Sequence, residues 1–471
     1  MSGIVWKFAE KIGIQGMQFI IQIVLARLLF PEDYGLVGLI TVFITISDVF
    51  ILQGFTTALI QKKNADETDF SSVFYANLVM AVVLYIALYF LSPLVSWFYS
   101  EPRLIELMRV LSLSVIAGAF SAVHNSIMSR NLEFKKSFFR MMANLLTQGV
   151  VGIGCAYMGF GVWSLVFSKL AGTLVGSVVI CATVKWRPKR LFSGERLKSL
   201  FSFSSKILGT NLLNTVFNNI HSILIGKFFA KAELGYYQRG QQIPHTMMTA
   251  VDGSLNEVLY PTLSKLQDDL FKVKSALRRS MKTSSFVMFP VLLGTVAVTR
   301  DLVLFLLTEK WLPCVPFMQL SCIVCMFWPF SARTHALNAI GESKVTFRLS
   351  LIGKSITLVL IAACIPFGIY AILLGTILAS TINLWIVSHY VNKYIGYSIK
   401  EFLGDILPLL LISAVMMAAV MGLGMILPLP VLPKLVVQVV FGMAVYATLA
   451  KLFKVDSFGY LLNTVKKMLK K

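Results

Sequence analysis

The chain has 471 residues, of which 57% are hydrophobic and only 14% are charged, and it carries a formal net charge of +21 with a mean hydropathy of +0.77. Soluble globular domains have roughly 45–50% apolar and about 25% charged residues, so this composition excludes a soluble protein built around one core. Apolar runs of about 20 residues, the length that crosses about 30 Å of hydrocarbon, recur along the whole sequence. The sequence therefore predicts a polytopic membrane protein.

We predict fourteen membrane spans, almost all of them helical because a lipid-exposed backbone must satisfy its own hydrogen bonds. In chain order they are 12–30, 36–60, 73–98, 104–128, 138–158, 161–183, 204–226, 235–262, 283–307, 314–339, 346–365, 369–391, 405–427 and 432–452. The first span carries Gln18, Gln22 and Arg27 and lacks a small-residue cleavage site, which indicates a retained span and not a signal peptide. The predicted fold class is an all-α polytopic membrane protein.

The positions of lysine and arginine predict the orientation. If the N-terminus is cytoplasmic, the loops on that side hold several times more Lys and Arg than the opposite loops, as the positive-inside rule requires. The C-terminus is then cytoplasmic too, and the residues 453–471 form a basic amphipathic tail that lies on the inner membrane surface. A solvated terminus is the alternative for this tail. Anionic lipid headgroups explain the net positive charge without a nucleic-acid partner.

A short pattern is repeated two hundred residues apart. "ARLLFPEDYG" at 26–35 links the first two spans, and "GKFFAKAELG" at 226–235 links the seventh and eighth. Six spans separate the two copies, so both run through the membrane in the same direction. A second pair of similar segments, "GFGVWSLV" at 159–166 and "PFGIYAILL" at 366–374, precedes the sixth and twelfth spans.

These repeats predict two six-helix lobes related by an axis along the membrane normal. The lobes comprise residues 1–190 and 200–395, and two additional transmembrane helices follow at 405–452. Parallel repeats of this kind are typical of alternating-access transporters with a substrate cavity between the repeats, although channels also contain repeats.

Five basic residues lie inside predicted spans: Arg109, Lys169, Arg239, Arg333 and Lys354. An unpaired cation is costly in hydrocarbon and usually faces a cavity or an acidic partner, so all five are candidates for a substrate cavity. Lys169 and Lys354 lie farthest from either membrane face. For the three arginines, reaching back to the interface or binding a lipid headgroup is the alternative.

The eighth span is the most polar. Its polar residues are Arg239, Gln241, Gln242, His245, Asp252, Asn256 and Glu257, and Pro244 interrupts its backbone hydrogen bonding. We assign Gln242 to the cavity, and we take Asp252, Glu257 and Asp48 of the second span as candidates for coupling to H⁺ or Na⁺. Hydrogen bonds between helices are the alternative, as is an ion pair between Glu257 and Lys265.

The seventh span carries a polar patch of Asn218, Asn219 and His221. We expect Asn218 and His221 to face the cavity, and a histidine satisfied by helix packing is the alternative. Two stretches of small residues, Gly172 with Gly176 and Gly149 with Gly152 and Gly154, predict close helix packing.

No catalytic residue, metal site or cofactor is predicted. Cys322 and Cys325 have the spacing of a redox motif, but they lie in an apolar span where two cysteines need neither a metal nor a disulfide.

Several longer segments resemble the polysaccharide-exporter family. They are "LGYYQRGQQIP" at 234–244, "LNEVLYPTLSKLQDD" at 255–269, "EKWLPCVPFMQLSCI" at 309–323, "ALNAIGESK" at 336–344 and "ARLLFPEDYGLVGLITVF" at 26–43. The family contains the Wzx-type flippases of the multidrug/oligosaccharidyl-lipid/polysaccharide superfamily, and this chain resembles the colanic-acid and teichuronic-acid exporters over nearly its whole length.

The resemblance implies a fourteen-helix bundle in the bacterial inner membrane that moves undecaprenyl-diphosphate-linked oligosaccharide to the outer leaflet. The cargo would be a repeat unit of O-antigen, capsule or exopolysaccharide, and the partners would be this lipid-linked sugar, membrane lipids, the polysaccharide polymerase and glycosyltransferases. Family members often have an acidic residue in the seventh span where this chain has His221, so cation coupling through that acid is not implied here.

Two other functions are weighed against a flippase. A cation-coupled small-molecule or drug antiporter of the same superfamily usually has twelve spans, and the two extra helices favour a lipid-linked substrate. A polysaccharide polymerase or ligase would need a catalytic loop on the outer face, where every predicted loop is short. The sequence therefore favours a transporter that is not an enzyme.

Overall fold

The structure is a computed structural model that describes the backbone of residues 2–62, 64–131, 133–453, 455 and 458–459. Side chains are described from residue 13 onward within these ranges, apart from positions 134, 203, 250–258, 260 and 261. Most of the predicted tail at 453–471 thus lies outside the described residues.

The described chain is helical, as predicted. Its α-helices are α1 (Ser2–Leu28), α2 (Pro31–Gln53), α3 (Phe55–Gln61), α4 (Glu67–Tyr99), α5 (Leu104–Leu111), α6 (Leu113–Arg130), α7 (Phe134–Tyr157), α8 (Trp163–Thr183), α9 (Gly194–Phe228), α10 (Lys231–Lys265), α11 (Leu270–Leu306), α12 (Val315–Cys325), α13 (Ala332–Ala339), α14 (Ser343–Cys364), α15 (Ile369–Ile395), α16 (Ile399–Ile426) and α17 (Val431–Leu452). Short 3₁₀ segments lie at Glu309–Cys314, Trp328–Ser331 and Ile365–Phe367.

Within the described residues, 10 helical stretches are long and apolar enough to cross a membrane. Three of the predicted spans are each divided: α2 is followed by α3, α5 by α6, and α12 by α13. The remaining four predicted spans correspond to α1, α7, α9 and α10. Each of these four has at least 24 residues, and at about 1.5 Å per residue that length exceeds the thickness of the hydrocarbon. The count of fourteen spans stays a prediction.

Side-chain caps set several helix boundaries. Asp66 accepts a hydrogen bond from the backbone N–H of Asp69, and Asp69 accepts one from the N–H of Asp66, at 3.0 and 3.2 Å. Ser398 and Glu401 form the same reciprocal pair at the start of α16. These bonds satisfy N–H groups that the first turn of a helix leaves without partners. At the C-terminal end of α15, Gly396 takes a left-handed conformation that stops the helix.

The chain divides into two compact units, one up to Gln238 and one from Arg239. In the first unit α7 packs on α8 and α1, and α2 packs on α9. In the second unit α11 packs on α16, α14 on α15, and α16 on α17. The boundary between the units lies inside α10, and the predicted division into lobes at 1–190 and 200–395 stays a prediction.

Small residues allow α7 and α8 to approach closely, as predicted. A Cβ atom added to Gly172 would lie 2.3 Å from Cγ of Gln148 and 3.0 Å from the backbone oxygen of Asn144, and one added to Gly176 would lie 3.0 Å from Asn144 Nδ2. On α7, Gly149 and Gly152 also face close neighbours, Ile21 and Ser168, whereas Gly154 faces open space. The packing prediction is therefore confirmed for four of these glycines and is wrong for Gly154.

The two copies of the repeated pattern contact each other symmetrically inside the first unit. A Cβ atom added to Gly35 would lie 1.9 Å from the backbone oxygen of Lys231, and one added to Gly235 would lie 1.9 Å from the backbone oxygen of Pro31. Only glycine permits such an approach of two backbones, because any other residue would place its Cβ atom inside a carbonyl oxygen. We call this pair of contacts the glycine crossing.

The same two copies also begin their helices in the same way. The N–H of Phe30 donates to the Asp33 carboxylate at 3.0 Å, and the N–H of Ala230 donates to the Glu233 carboxylate at 3.2 Å. A carboxylate in the first turn of a helix satisfies a free N–H and complements the helix dipole. The late repeat in the sequence is therefore a repeat in structure: two equivalent helix starts that cross at their glycines.

A buried carboxylate attaches the start of α16 to α11. Arg278 donates to both oxygens of Asp405 at 2.7 and 2.8 Å, Lys282 lies 3.1 Å away, and the Tyr397 hydroxyl donates at 2.8 Å. Because Asp405 is only 7% exposed, these donors are what make its burial tolerable. These bonds thus attach the first of the two additional helices to α11 within the second unit.

Ion pairs hold the start of α4 to the start of α9. Asp69 is fully buried and pairs with Lys62 at 2.7 Å and with Arg196 at 3.5 Å. Arg196 also pairs with the exposed carboxylate of Asp66. The hydrogen bond from Arg196 lowers the pKa of Asp66 from 3.8 to about 2, with help from the N–H of Asp69.

We expect this pKa to produce an acid-dependent stability difference between the wild type and Asp66→Asn. A carboxyl group with a lowered pKa stabilises the folded state above its ordinary pKa, and this contribution is lost as the pH falls through the folded-state value. The thermal stability of the purified protein should therefore exceed that of the variant at pH 5, and the gap should close between pH 4 and about pH 2. A gap of constant size over this range would show that Asp66 acts through its helix cap alone.

Candidate functional site

The structure brings together two candidates to which the sequence had assigned different roles. Asp48 of α2 and Lys169 of α8 are both half-buried and interact electrostatically. A carboxylate near an ammonium group inside the membrane lowers the cost of burying either charge. The two side chains form no direct ion pair, so this attraction acts over a longer distance.

A polar pair on α7 lies against α8 near this site, and sequence reasoning missed it. Gln148 donates to the side chain of Asn144 at 2.5 Å, and Ser168, the residue before Lys169, donates to the backbone oxygen of Gln148 at 2.7 Å. The signal in the sequence is two amide side chains four residues apart, which share a helix face. These bonds fix the turn of α8 that carries Lys169.

The polar patch of the seventh predicted span lies on α9. His221 is half-buried and stacks on the ring of Tyr237, with ring centroids 6.1 Å apart and an angle of 22° between the planes. Asn219 donates to the backbone oxygen of Thr215 at 2.8 Å, and Asn218 is exposed. Stacking gives His221 a packing role, and its assignment to a cavity stays a prediction.

Of the candidates on α10, only Arg239, Gln242 and others before residue 250 have described side chains. Arg239 is buried, at 8% exposure, and donates to the side-chain oxygen of Gln242 one turn along the helix. The two candidates thus contact each other. Asp252 and Glu257 lie on α10, but their side chains are outside the described residues, so their proposed coupling role stays a prediction.

Arg109 of α5 is held against α4. Its Nε donates to the Ser92 hydroxyl at 3.1 Å, and its guanidinium lies 4.0 Å from the centre of the Tyr89 ring. A cation over an aromatic face is stabilised without an acidic partner. These contacts explain how Arg109 is accommodated in a span, and its role in substrate binding stays a prediction.

Arg333 of α13 is buried in the second unit, with 3% of its surface exposed. It donates to the backbone oxygens of Phe330 at 3.2 Å and Leu384 at 3.3 Å, and to the hydroxyl of Ser388. Its guanidinium also lies 5.0 Å from the centre of the Phe402 ring. This burial is deeper than expected for an arginine that reaches back to the membrane interface.

Lys354 is half-buried on α14, next to a close contact with α15. A Cβ atom added to the neighbouring Gly353 would lie 2.8 Å from Oδ1 of Asn383. Asn383 and Arg333 line one cavity of the second unit. Asn383 of α15 therefore packs against the turn that carries Lys354 and lines the same cavity as Arg333.

The cysteine pair of the tenth predicted span packs in a hydrophobic cluster. Cys322 and Cys325 are fully buried thiols that contact Met248, Met288 and Leu292. Among the described residues, no group of three or more His, Cys, Asp or Glu residues has a metal-binding arrangement.

Comparisons with known proteins agree with the resemblance seen in the sequence. Residues 24–316 match the model of a family described as polysaccharide biosynthesis protein. The chain is 24% identical over 406 residues to the succinoglycan biosynthesis transport protein ExoT of Rhizobium meliloti, covering 86% of this chain and 80% of that protein. It is 25% identical over 329 residues to the teichuronic acid biosynthesis protein TuaB of Bacillus subtilis, covering 69% and 68%.

Among solved structures, the lipid II flippase MurJ in an inward closed conformation has the same fold. The TM-score is 0.77 at 16% identity, and the match covers 96% of this chain and 99% of that one. The two additional helices are therefore part of the shared fold. With most of its length matched by the family model, the chain belongs to the polysaccharide biosynthesis protein family.

Proposed function

We propose that the protein is a flippase that carries undecaprenyl-diphosphate-linked oligosaccharide from the inner to the outer leaflet of the bacterial inner membrane. The observation that carries the proposal is the family match of a chain with at least 10 membrane-crossing helices in its described residues. ExoT is named as a succinoglycan biosynthesis transport protein and TuaB as a teichuronic acid biosynthesis protein, which links relatives of this chain to the transport and the synthesis of polysaccharides. The likeness to MurJ supports a fold that includes both additional helices.

The charges of the first unit suit this substrate. A lipid-linked sugar diphosphate has an anionic head that needs a polar, basic cavity, while its tail remains in lipid. Lys169 would supply a cation inside the membrane, and the nearby carboxylate of Asp48 would partly offset its charge when no diphosphate is bound. Alternating access between two repeats would then expose the bound head first to the inner face and then to the outer face.

In this proposal the chain performs no covalent chemistry. The glycosyltransferases that build the repeat unit would act before it on the cytoplasmic side, and the polymerase would act after it on the outer side. Both termini would be cytoplasmic, as the distribution of basic residues predicts.

The test is a deletion of the gene with two measurements on the same cells: surface polysaccharide, and undecaprenyl-linked oligosaccharide in the cytoplasmic leaflet. We expect loss of the surface polymer and accumulation of complete, unpolymerised repeat units inside. Accumulation without export is specific to a flipping defect, because a failure of synthesis would give no complete units. Unchanged glycan with altered sensitivity to cationic drugs would instead support the antiporter.

A further inference from the structure

The loop that joins α8 to α9 is bonded to the start of α4 at two points. The backbone N–H of Lys189 donates to the Ser71 hydroxyl at 3.0 Å, and the backbone N–H of Ser193 donates to the Ser72 hydroxyl at 2.9 Å. The segment 190–192 lies between these two points. It therefore forms the tip of a loop whose ends are both held in place.

The other end of this loop is fixed at the end of α8. Arg187 donates from Nη1 to the backbone oxygens of Cys181 at 2.7 Å and Val184 at 2.9 Å. A basic side chain near the end of a helix satisfies carbonyl groups that have no partner within the helix. Trp186 also donates from Nε1 to the carboxylate of Glu67 at 3.1 Å. The loop thus has a defined conformation along its length.

The tip of the loop exposes two large apolar side chains. Leu191 is 40% exposed and Phe192 is 64% exposed. Phe192 directly precedes Ser193, the N-cap residue of α9. An apolar side chain at this position often packs on the residue four places into the helix, which here is Leu197. Because most of the Phe192 surface stays exposed, the ring is available to a partner.

Exposed basic side chains flank this apolar pair along the chain. They are Lys185, Lys189, Arg190 and Lys198. Lys189 lies 3.9 Å from the carboxylate of Glu67. In the part of the chain that the structure describes, no ion pair joins the other three to a carboxylate. The loop therefore presents an apolar pair together with a positive charge that the described chain largely leaves unbalanced.

The loop lies at the level where the apolar helices end. Ser71 and Ser72, which hold it, directly precede the predicted span 73–98, and the loop begins where the apolar helix α8 ends at Thr183. Lipid headgroups lie at this level. Basic side chains there attract anionic headgroups, and large apolar side chains beside them enter the acyl region. An acidic protein would match the charges, but it would have to displace lipid to cover the apolar pair.

We propose that residues 185–198 form a docking surface for anionic phospholipid. The leaflet is the one at the start of α4, which the predicted orientation makes the cytoplasmic leaflet. Leu191 and Phe192 enter the upper part of the acyl chains, and the four basic side chains contact the phosphates. This inference goes beyond the proposed function, because it names a lipid that the protein binds without transporting it.

The first test is a lipid titration of the purified full chain in detergent. Dioleoyl phosphatidylglycerol and dioleoyl phosphatidylcholine share their acyl chains and differ in charge, and a lipid that binds the folded state raises the melting temperature. We expect phosphatidylglycerol to bind about ten-fold more tightly. Lys189→Gln/Arg190→Gln should reduce this preference several-fold. Lys393→Gln/Lys400→Gln removes two exposed lysines elsewhere and is the control that should keep the preference.

The apolar pair is tested separately. Leu191→Ser/Phe192→Ser should weaken the binding of both lipids by a similar factor, because the apolar contribution does not depend on the headgroup. Both residues are exposed, so this variant should elute like the wild type in size-exclusion chromatography. Binding of both lipids at wild-type strength would overturn the role of this pair.

A third measurement identifies the partner in native membranes. With the photo-reactive benzoylphenylalanine in place of Phe192, illumination should give an adduct with the mass of a phospholipid. An adduct with a protein would overturn the proposal in favour of a protein partner. The proposal would equally fail if the wild type bound the two lipids alike, or if Lys189→Gln/Arg190→Gln lost no more preference than the control. None of these outcomes depends on which substrate the protein transports.

Discussion

Alanine at Gly35 or at Gly235 should destabilise the protein by more than almost any other single methyl group added to the chain. The new Cβ atom would lie 1.9 Å from a backbone oxygen of the other repeat copy, so no side chain can rotate to relieve the clash. Overpacking in a core typically costs about 1–3 kcal/mol, and a clash between backbones belongs at or above the upper end. Thermal unfolding followed by size-exclusion chromatography of the solubilised protein would measure the loss.

Two matched substitutions separate this effect from the mere loss of a glycine. Gly404→Ala on α16 meets nothing within 4 Å and should be neutral or stabilising, because alanine is the better helix former. Gly38→Ala would meet the side chain of Gln238 at 2.0 Å, which can move, so its cost should be intermediate. If Gly35→Ala were as mild as Gly404→Ala, the glycine crossing would not be a required contact.

The double variant Gly35→Ala/Gly235→Ala tests whether the two contacts are one structure. Once the first methyl group has forced the two helix starts apart, the second should find the space already open. The combined destabilisation should therefore be smaller than the sum of the single effects, since neighbouring sites couple. Additive effects would mean that the two contacts respond independently.

The second large effect is expected on transport. If the proposed function is correct, Lys169→Ala should reduce export of the lipid-linked oligosaccharide by about ten-fold or more, because the diphosphate would lose a cation that it contacts and the carboxylate of Asp48 would lose a nearby positive charge. Lys169→Arg keeps the charge and should retain most of the activity. Export would be measured as surface polysaccharide in cells that lack the native gene, with membrane insertion checked in parallel.

A set of variants distinguishes a role in binding from a role in stability. Adding Asp48→Asn to Lys169→Ala removes the uncompensated carboxylate, so it should restore insertion and thermal stability without restoring export. Lys400→Ala, an exposed lysine on α16, is the control and should export normally. Normal export from a stably inserted Lys169→Ala/Lys354→Ala double variant would remove both lysines from the cavity.

Helix packing and helix breaks were predictable from the sequence to different extents. The Gly172 and Gly176 contact followed from spacing alone, since residues four apart share a helix face and small ones allow close approach. The break of the second predicted span at Gly54 was not predicted. An apolar run predicts a crossing, but whether one helix or two make it depends on packing against neighbours.

The candidate site shows the same limit. The sequence identified Asp48 and Lys169 as costly charges inside predicted spans, but it assigned one to ion coupling and the other to substrate. They are more than a hundred residues apart, and their electrostatic interaction arises only when α2 and α8 are brought together. Asn144 and Gln148 were missed because amide side chains in a span have no distinctive charge.

The sequence by itself determined that the chain is an all-α membrane protein with a repeated helix start, because hydrocarbon demands long apolar helices and penalises every charge left inside it. It also identified each buried arginine and lysine that needs an explanation. Only the tertiary structure decided which of these charges have partners, that Gly35 and Gly235 cross, and that Arg333 lines a cavity with Asn383. Those facts depend on contacts between residues far apart in the chain, and a pattern of spacing along one helix carries no information about which other helix will cover it.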